Sequence, residues 1–150
     1  MEISARMVKD LRDLSGAGMM DAKKALLACD GVMEEAVDWL RTKGLAKAAK
    51  KADRVASDGL IGVHASNEGV VAVEINSETD FVAKNDEFQE MVRDISIVAM
   101  NADSVESLLS KSIGEKAIKD VITDKIRVIG ENLTVRRMVK FEGKNVAHYI

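Results

Sequence analysis

The apolar residues of this chain change their period part-way along it. Through the first 42 residues they recur three and four positions apart, the spacing of one helix face. Leu60 to Ala65 and Val70 to Ile75 are instead β-rich, and Val71, Val73 and Ile75 share one face of a strand. Helical spacing returns at Phe88, and alternation returns from Leu133 to Phe141. Two hairpin strands, then helices, then a returning strand imply an α+β fold: a small antiparallel sheet with helices on one face.

The punctuation refines this outline. Ser4 is placed to cap a first helix carrying Met7, Val8, Leu11 and Leu14, and Gly16-Ala17-Gly18 breaks it. A second helix is predicted from Met20 to Cys29, with Ala25, Leu26 and Cys29 inward and Gly31 as a left-handed cap. A third, Met33 to Thr42, aligns Met33, Ala36, Val37 and Leu40 and is expected to stop at Gly44. Residues 1–44 thus read as a three-helix domain and 45–57, rich in Ala and Lys, as a basic, partly helical linker. Residues 58–150 read as the α+β part. Ser66-Asn67-Glu68-Gly69 is its hairpin loop, and Phe88, Met91, Val92, Ile95, Val98 and Ala99 form a helical stripe. A short helix near 104–110 is expected to start at Asp103. Ser112 and Glu115 have the spacing of a capping box for a helix reaching Ile129, and Val146 to Ile150 is expected to open another strand. Only 3% of residues are aromatic, so both cores must be built from Val, Ile, Leu, Met and Ala.

Catalytic chemistry is thinly represented. His64 and His148 each fall on an expected strand, as edge or surface residues. Cys29, the one cysteine, lies on an apolar helix face where a thiol is inert, and a single cysteine excludes an intramolecular disulfide framework. Two histidines and one cysteine so far apart do not supply a four-ligand zinc site. Gly16-Ala17-Gly18 has part of a dinucleotide fingerprint, but it follows a helix and Asp21 stands where the third glycine belongs. No apolar run is long enough to span a membrane, so no membrane partner is expected, and Met1-Glu2-Ile3-Ser4 lacks a secretory pattern. These features suit a cytoplasmic protein that is not an enzyme and needs no cofactor. Charge is uneven: residues 1–54 carry 11 basic and 9 acidic side chains, and 55–150 carry 11 and 16. Within 41–54, Arg41, Lys43, Lys47, Lys50, Lys51 and Arg54 face only Asp53. That stretch is either a solvated linker face or an RNA- or ribosome-binding module without aromatics to stack bases.

Two segments carry a family resemblance. Leu11-Arg12-Asp13-Leu14-Ser15-Gly16-Ala17-Gly18-Met19-Met20-Asp21-Ala22-Lys23-Lys24-Ala25-Leu26 is similar to the opening signature of bacterial elongation factor Ts. Val73 to Asn85, centred on Thr79-Asp80-Phe81-Val82, resembles the same family's core signature. A weaker block, Ile129-Gly130-Glu131-Asn132 with Arg136-Arg137, also resembles it, and the three lie in the family's order.

The resemblance implies an N-terminal three-helix domain of the ubiquitin-associated type, a linker, and the N-terminal half of an α+β core. It implies one partner, elongation factor Tu, and one activity, faster GDP release from that partner without direct nucleotide binding by this chain. Asp80 and Phe81 would act as a wedge that disturbs the partner's Mg²⁺ and phosphate site. Lys23, Met19 and Met20 would dock the helical domain, and Ile129 and Gly130 would face the partner at a helix-to-strand corner. The residues alone leave alternatives open. Phe81 and Val82 could start a helix capped by Ser77 or Thr79 and pack on the sheet; Met19 and Met20 could be core; Gly130 could simply end a helix. Family members continue past Ala147-His148-Tyr149-Ile150, so a fragment cut inside its last strand is expected, with an exposed edge that a second copy could pair with as a homodimer. Such a fragment either retains exchange or binds the partner without it.

Overall fold

A computed structural model describes residues 2–150. The chain divides into two compact units, Met1–Lys50 and Lys51–Ile150. The first is helical: α1 (Ala5–Ser15), α2 (Met19–Ala28) and α3 (Met33–Lys51). Ser4 caps α1 as its position predicts, its Oγ accepting from the Met7 N–H at 3.2 Å, and left-handed Gly16 closes the helix. Gly31, at φ 82°, donates to the Leu26 carbonyl at 2.8 Å and turns the chain toward α3. Val8, Leu11, Ala22, Ala25, Leu26, Ala36 and Leu40 form a small core, with Met7, Cys29, Met33 and Trp39 partly buried against it.

Three expectations for this unit fail. Leu14 and Val37, aligned with the inward stripes by spacing, are exposed. The third helix runs through Gly44 to Lys51. A mid-helix glycine costs about 1 kcal/mol relative to alanine, and the Ala/Lys-rich stretch after it has high enough propensity to carry the helix on.

The second unit is built on a three-stranded antiparallel sheet, in the order β1 (Asp58–Ser66), β2 (Gly69–Ser77), β5 (Thr134–Glu142). Ser66 pairs directly with Gly69, so the expected four-residue loop tightens to Asn67-Glu68. Val71, Val73 and Ile75 are fully buried on one face, over which α5 (Asp86–Ala99) lies with Phe88, Met91, Val92, Ile95 and Ala99 inward. Gly62 on β1 allows that approach, because a Cβ there would collide with Ser96 and Val92 of α5. The opposite face of the sheet exposes Ile61, Val139 and Phe141.

Between α5 and β5 come α6 (Val105–Ser110), the two-residue strands β3 (Ser112–Ile113) and β4 (Lys116–Ala117), and α7 (Ile118–Ile129). Here the cap readings need correction. Ser104, not Asp103, caps α6, accepting from the Ser107 N–H at 3.0 Å, while the Asp103 carboxylate pairs with Lys140. Ser112 and Glu115 cap nothing: they belong to the β3–β4 hairpin, whose turn needs Gly114 at φ 61°, and α7 starts after Ala117 without a side-chain cap. Residues 146–150 form no strand, so the edge expected to pair with a second copy is not built from them.

Candidate partner-binding site

β2 ends at fully buried Ser77, whose Oγ donates to the Thr79 carbonyl at 2.8 Å and bends the chain off the sheet. The next two residues are tied to the end of α7. One Glu131 carboxylate oxygen accepts from the Glu78 and Thr79 N–H groups, both at 3.0 Å, and the other from the Thr79 hydroxyl at 2.8 Å. The bond is reciprocated: the Asn132 N–H donates to the Glu78 carboxylate at 2.7 Å. Asn132 in turn donates through Nδ2 to the Arg54 carbonyl at 2.8 Å, and the Arg54 guanidinium stands 3.6 Å from Glu78. Four backbone and side-chain donors thus converge on two carboxylates, the charge-assisted class of hydrogen bond.

This clasp fixes the single-turn helix α4 (Asp80–Ala83). Thr79 occupies its N-cap position but its oxygen accepts no capping bond; its hydroxyl instead donates to Glu131. Val82 and Ala83 face inward, which leaves Phe81 turned outward and 79% exposed. The sequence alternative in which Phe81 packs on the sheet is therefore overturned. Asp80 is exposed too, 3.5 Å from Lys84 one turn on.

Gly130 ends α7 in the left-handed conformation, its N–H donating to the Ile126 carbonyl at 2.8 Å. Residues on either side of the clasp line one shallow depression of about 440 Å³: Phe81, Val82, Asn85, Glu87, Val128 and Ile129. Phe81 and Ile129, distant in sequence, are thus brought to one surface; Gly130, next in the chain to Ile129, is exposed but does not line it. An open depression in which Phe81, Val82, Val128 and Ile129 stand beside the polar Asn85 and Glu87 can receive a mixed apolar and polar element of another protein; it holds no convergent reactive groups.

In the helical unit, Met19, Met20 and Lys23 lie on the first turns of α2. Ala22, Ala25 and Leu26 take the inward positions, so Met20 is 66% exposed and Met19 half exposed. Core packing of Met20 is thereby ruled out. Leu27, one turn beyond Lys23, extends the same exposed face.

Nothing in the sequence alone marks Glu78, Glu131 and Asn132 as a linked set. Glu131 and Asn132 do stand in the Ile129–Asn132 block, but their partners lie more than 50 positions away and no local pattern links them. Cys29 is half-buried, and its thiol is pushed up from the ordinary range by desolvation first, then by the Glu35 and Asp30 carboxylates. Among the described residues no three His, Cys, Asp or Glu side chains group as metal ligands, and no helix is long and apolar enough to cross a membrane.

Comparison with known proteins decides the family. The profile described as "Elongation factor TS" matches residues 78–150, the stretch that contains the clasp, Phe81 and the α7 corner. Over all 150 residues the chain is 60% identical to elongation factor Ts of Jannaschia sp. (strain CCS1) and 59% to that of Ruegeria pomeroyi, covering 52% of each. It is 58% identical to elongation factor Ts of Cereibacter sphaeroides (strain ATCC 17025 / ATH 2.4.3), covering 50%. The chain belongs to the elongation factor Ts family. It spans about half the length of the curated relatives it matches. Their identity extends across the helical unit as well as the sheet-containing one, so both exposed surfaces lie in segments shared with elongation factor Ts proteins.

Proposed function

We propose that this chain binds elongation factor Tu and accelerates release of its GDP, as a nucleotide-exchange factor and not as an enzyme. The observation that carries the reading is Phe81, a large apolar side chain held out to solvent on a turn that is itself anchored by the Glu78–Glu131 clasp. An outward aromatic on a fixed backbone enters a partner with little ordering cost. Phe81 inserts between elements of the partner's nucleotide-binding domain, Asp80 accompanies it, and the shift loosens the groups that hold Mg²⁺. Magnesium neutralises nucleotide phosphates in such sites, so its displacement weakens GDP. Ile129 and Gly130 dock beside the wedge, while Met19, Met20 and Lys23 form a second contact from the helical unit. The coupling is reciprocal: a factor that weakens GDP is weakened by GDP in the same ratio.

Burying one phenylalanine side chain contributes roughly 1.5–3 kcal/mol, about ten- to a hundredfold in an equilibrium constant. Acceleration beyond that range draws on the other contacts. The test is release of a fluorescent GDP from elongation factor Tu with the wild-type chain and with Phe81→Ala. Acceleration that falls at least tenfold in the variant supports the wedge. Binding without acceleration by the wild-type chain leaves a partner-binding fragment, and absence of both rejects the proposal.

A further inference from the structure

The continuation of α3 past Gly44 turns a basic run into an ordered stripe. Lys43, Lys47 and Lys50 recur at i, i+4 and i+7, one face of the helix. The acidic residues of α3, Glu34, Glu35 and Asp38, are confined to its first two turns, so from Trp39 to Lys51 the helix carries only positive charge. Of the three lysines only Lys47 is ion-paired among the described residues, to Asp21 at 3.2 Å, and both partners are solvent-exposed enough for that pair to contribute little.

We propose that this stripe binds the phosphate backbone of an RNA strand, independently of the exchange activity. Along the axis Lys43 to Lys50 spans about 10 Å at ~1.5 Å per residue. Each of the three ammoniums meets one phosphate of a flexible strand laid along the stripe, about three contacts in all. The neighbouring side chains decide against other occupants. A membrane-surface helix needs bulky apolar residues beside its lysines. Here Ala46 flanks the stripe on one side and buried Gly44 on the other, and Leu45 lies on the opposite side of the helix. Trp39, the one nearby aromatic, is half-buried with the Lys43 ammonium 5.3 Å from its ring centre, so it offers no free face to a base. Binding is therefore sequence-independent and electrostatic.

The test is fluorescence anisotropy of a labelled 20-nucleotide oligouridine titrated with the whole chain. Three contacts to a single strand give a log–log salt slope of about −2, so affinity falls roughly fifteenfold between 50 and 200 mM KCl. The double variant Lys43→Gln/Lys50→Gln keeps the Lys47–Asp21 pair, and glutamine matches lysine in helix propensity, so far-UV circular dichroism stays unchanged. It is expected to bind at least fivefold more weakly at 50 mM KCl, with a slope near −1 or shallower. The proposal is overturned if the variant binds like wild type, if wild type shows no binding at 50 mM KCl, or if a polyglutamate peptide of equal charge competes as well as unlabelled oligouridine.

Discussion

Phe81 and Glu131 occupy the same corner of the sheet-containing unit and serve different ends. Phe81 makes few contacts within the chain, so Phe81→Ala is expected to change the free energy of unfolding by less than about 0.5 kcal/mol while removing the proposed wedge. Glu131 is the reverse case. Its carboxylate satisfies two backbone N–H groups and a hydroxyl, and truncation leaves those donors unpaired in a partly buried setting. Glu131→Ala is expected to lower stability by about 1–3 kcal/mol in urea unfolding, and to reduce exchange because the turn under Phe81 is no longer anchored. Unchanged stability would mean that water replaces the carboxylate without loss. Asp80 and Phe81 stand out in the sequence as candidates because their motif is contiguous, and the structure leaves both exposed. The clasp does not stand out, since it joins Glu78 to Asn132 across most of the unit, and hydrogen bonds of that kind leave no periodic trace.

At the level of elements, what could be read depended on how local the determining interaction is. The Ser4 cap and the left-handed Gly31 involve neighbours within five residues, and both are where the sequence places them. Ser112 and Glu115 show the limit of the same logic: a capping-box spacing is also compatible with a tight hairpin, and left-handed Gly114 decides for the hairpin. The end of α5 illustrates a non-local determinant. Lys140 stands opposite fully buried Val71 on β5, a position where alternation calls for an apolar residue. Its stem follows the sheet and its ammonium donates to the Met100 and Ala102 carbonyls at 3.4 and 3.2 Å, with Asp103 also at 3.2 Å. A cation at a helix C-terminus satisfies carbonyls left over by the helix and opposes its dipole. Lys140→Met keeps the stem and removes the donors. It is expected to cost about 1–3 kcal/mol, with hydrogen exchange quickening first at the amides closing α5.

For the whole molecule, the two units differ most in how much core each possesses. The sheet-containing unit buries Val71, Val73, Ile75, Phe88, Ile95, Leu108 and Ile118 almost completely, whereas Leu11 and Leu26 are the largest fully buried side chains of the helical one. At the usual roughly 0.05–0.15 kcal/mol per residue, a 50-residue unit has a stability of only about 3–8 kcal/mol. Truncating one buried leucine removes about 2–5 kcal/mol, because the cavity adds to the lost transfer energy. Leu26→Ala is therefore expected to abolish most exchange protection in α1, α2 and α3, and to lower the far-UV helical signal. Amides of β2 and α5 should keep their protection, since the sheet retains its ladder and α5 its buried stripe. Native-state hydrogen exchange resolves the two sets of amides in one experiment. Protection lost equally in β2 would mean that the two units unfold as one cooperative body, and that the helical unit's small core is supported from outside itself.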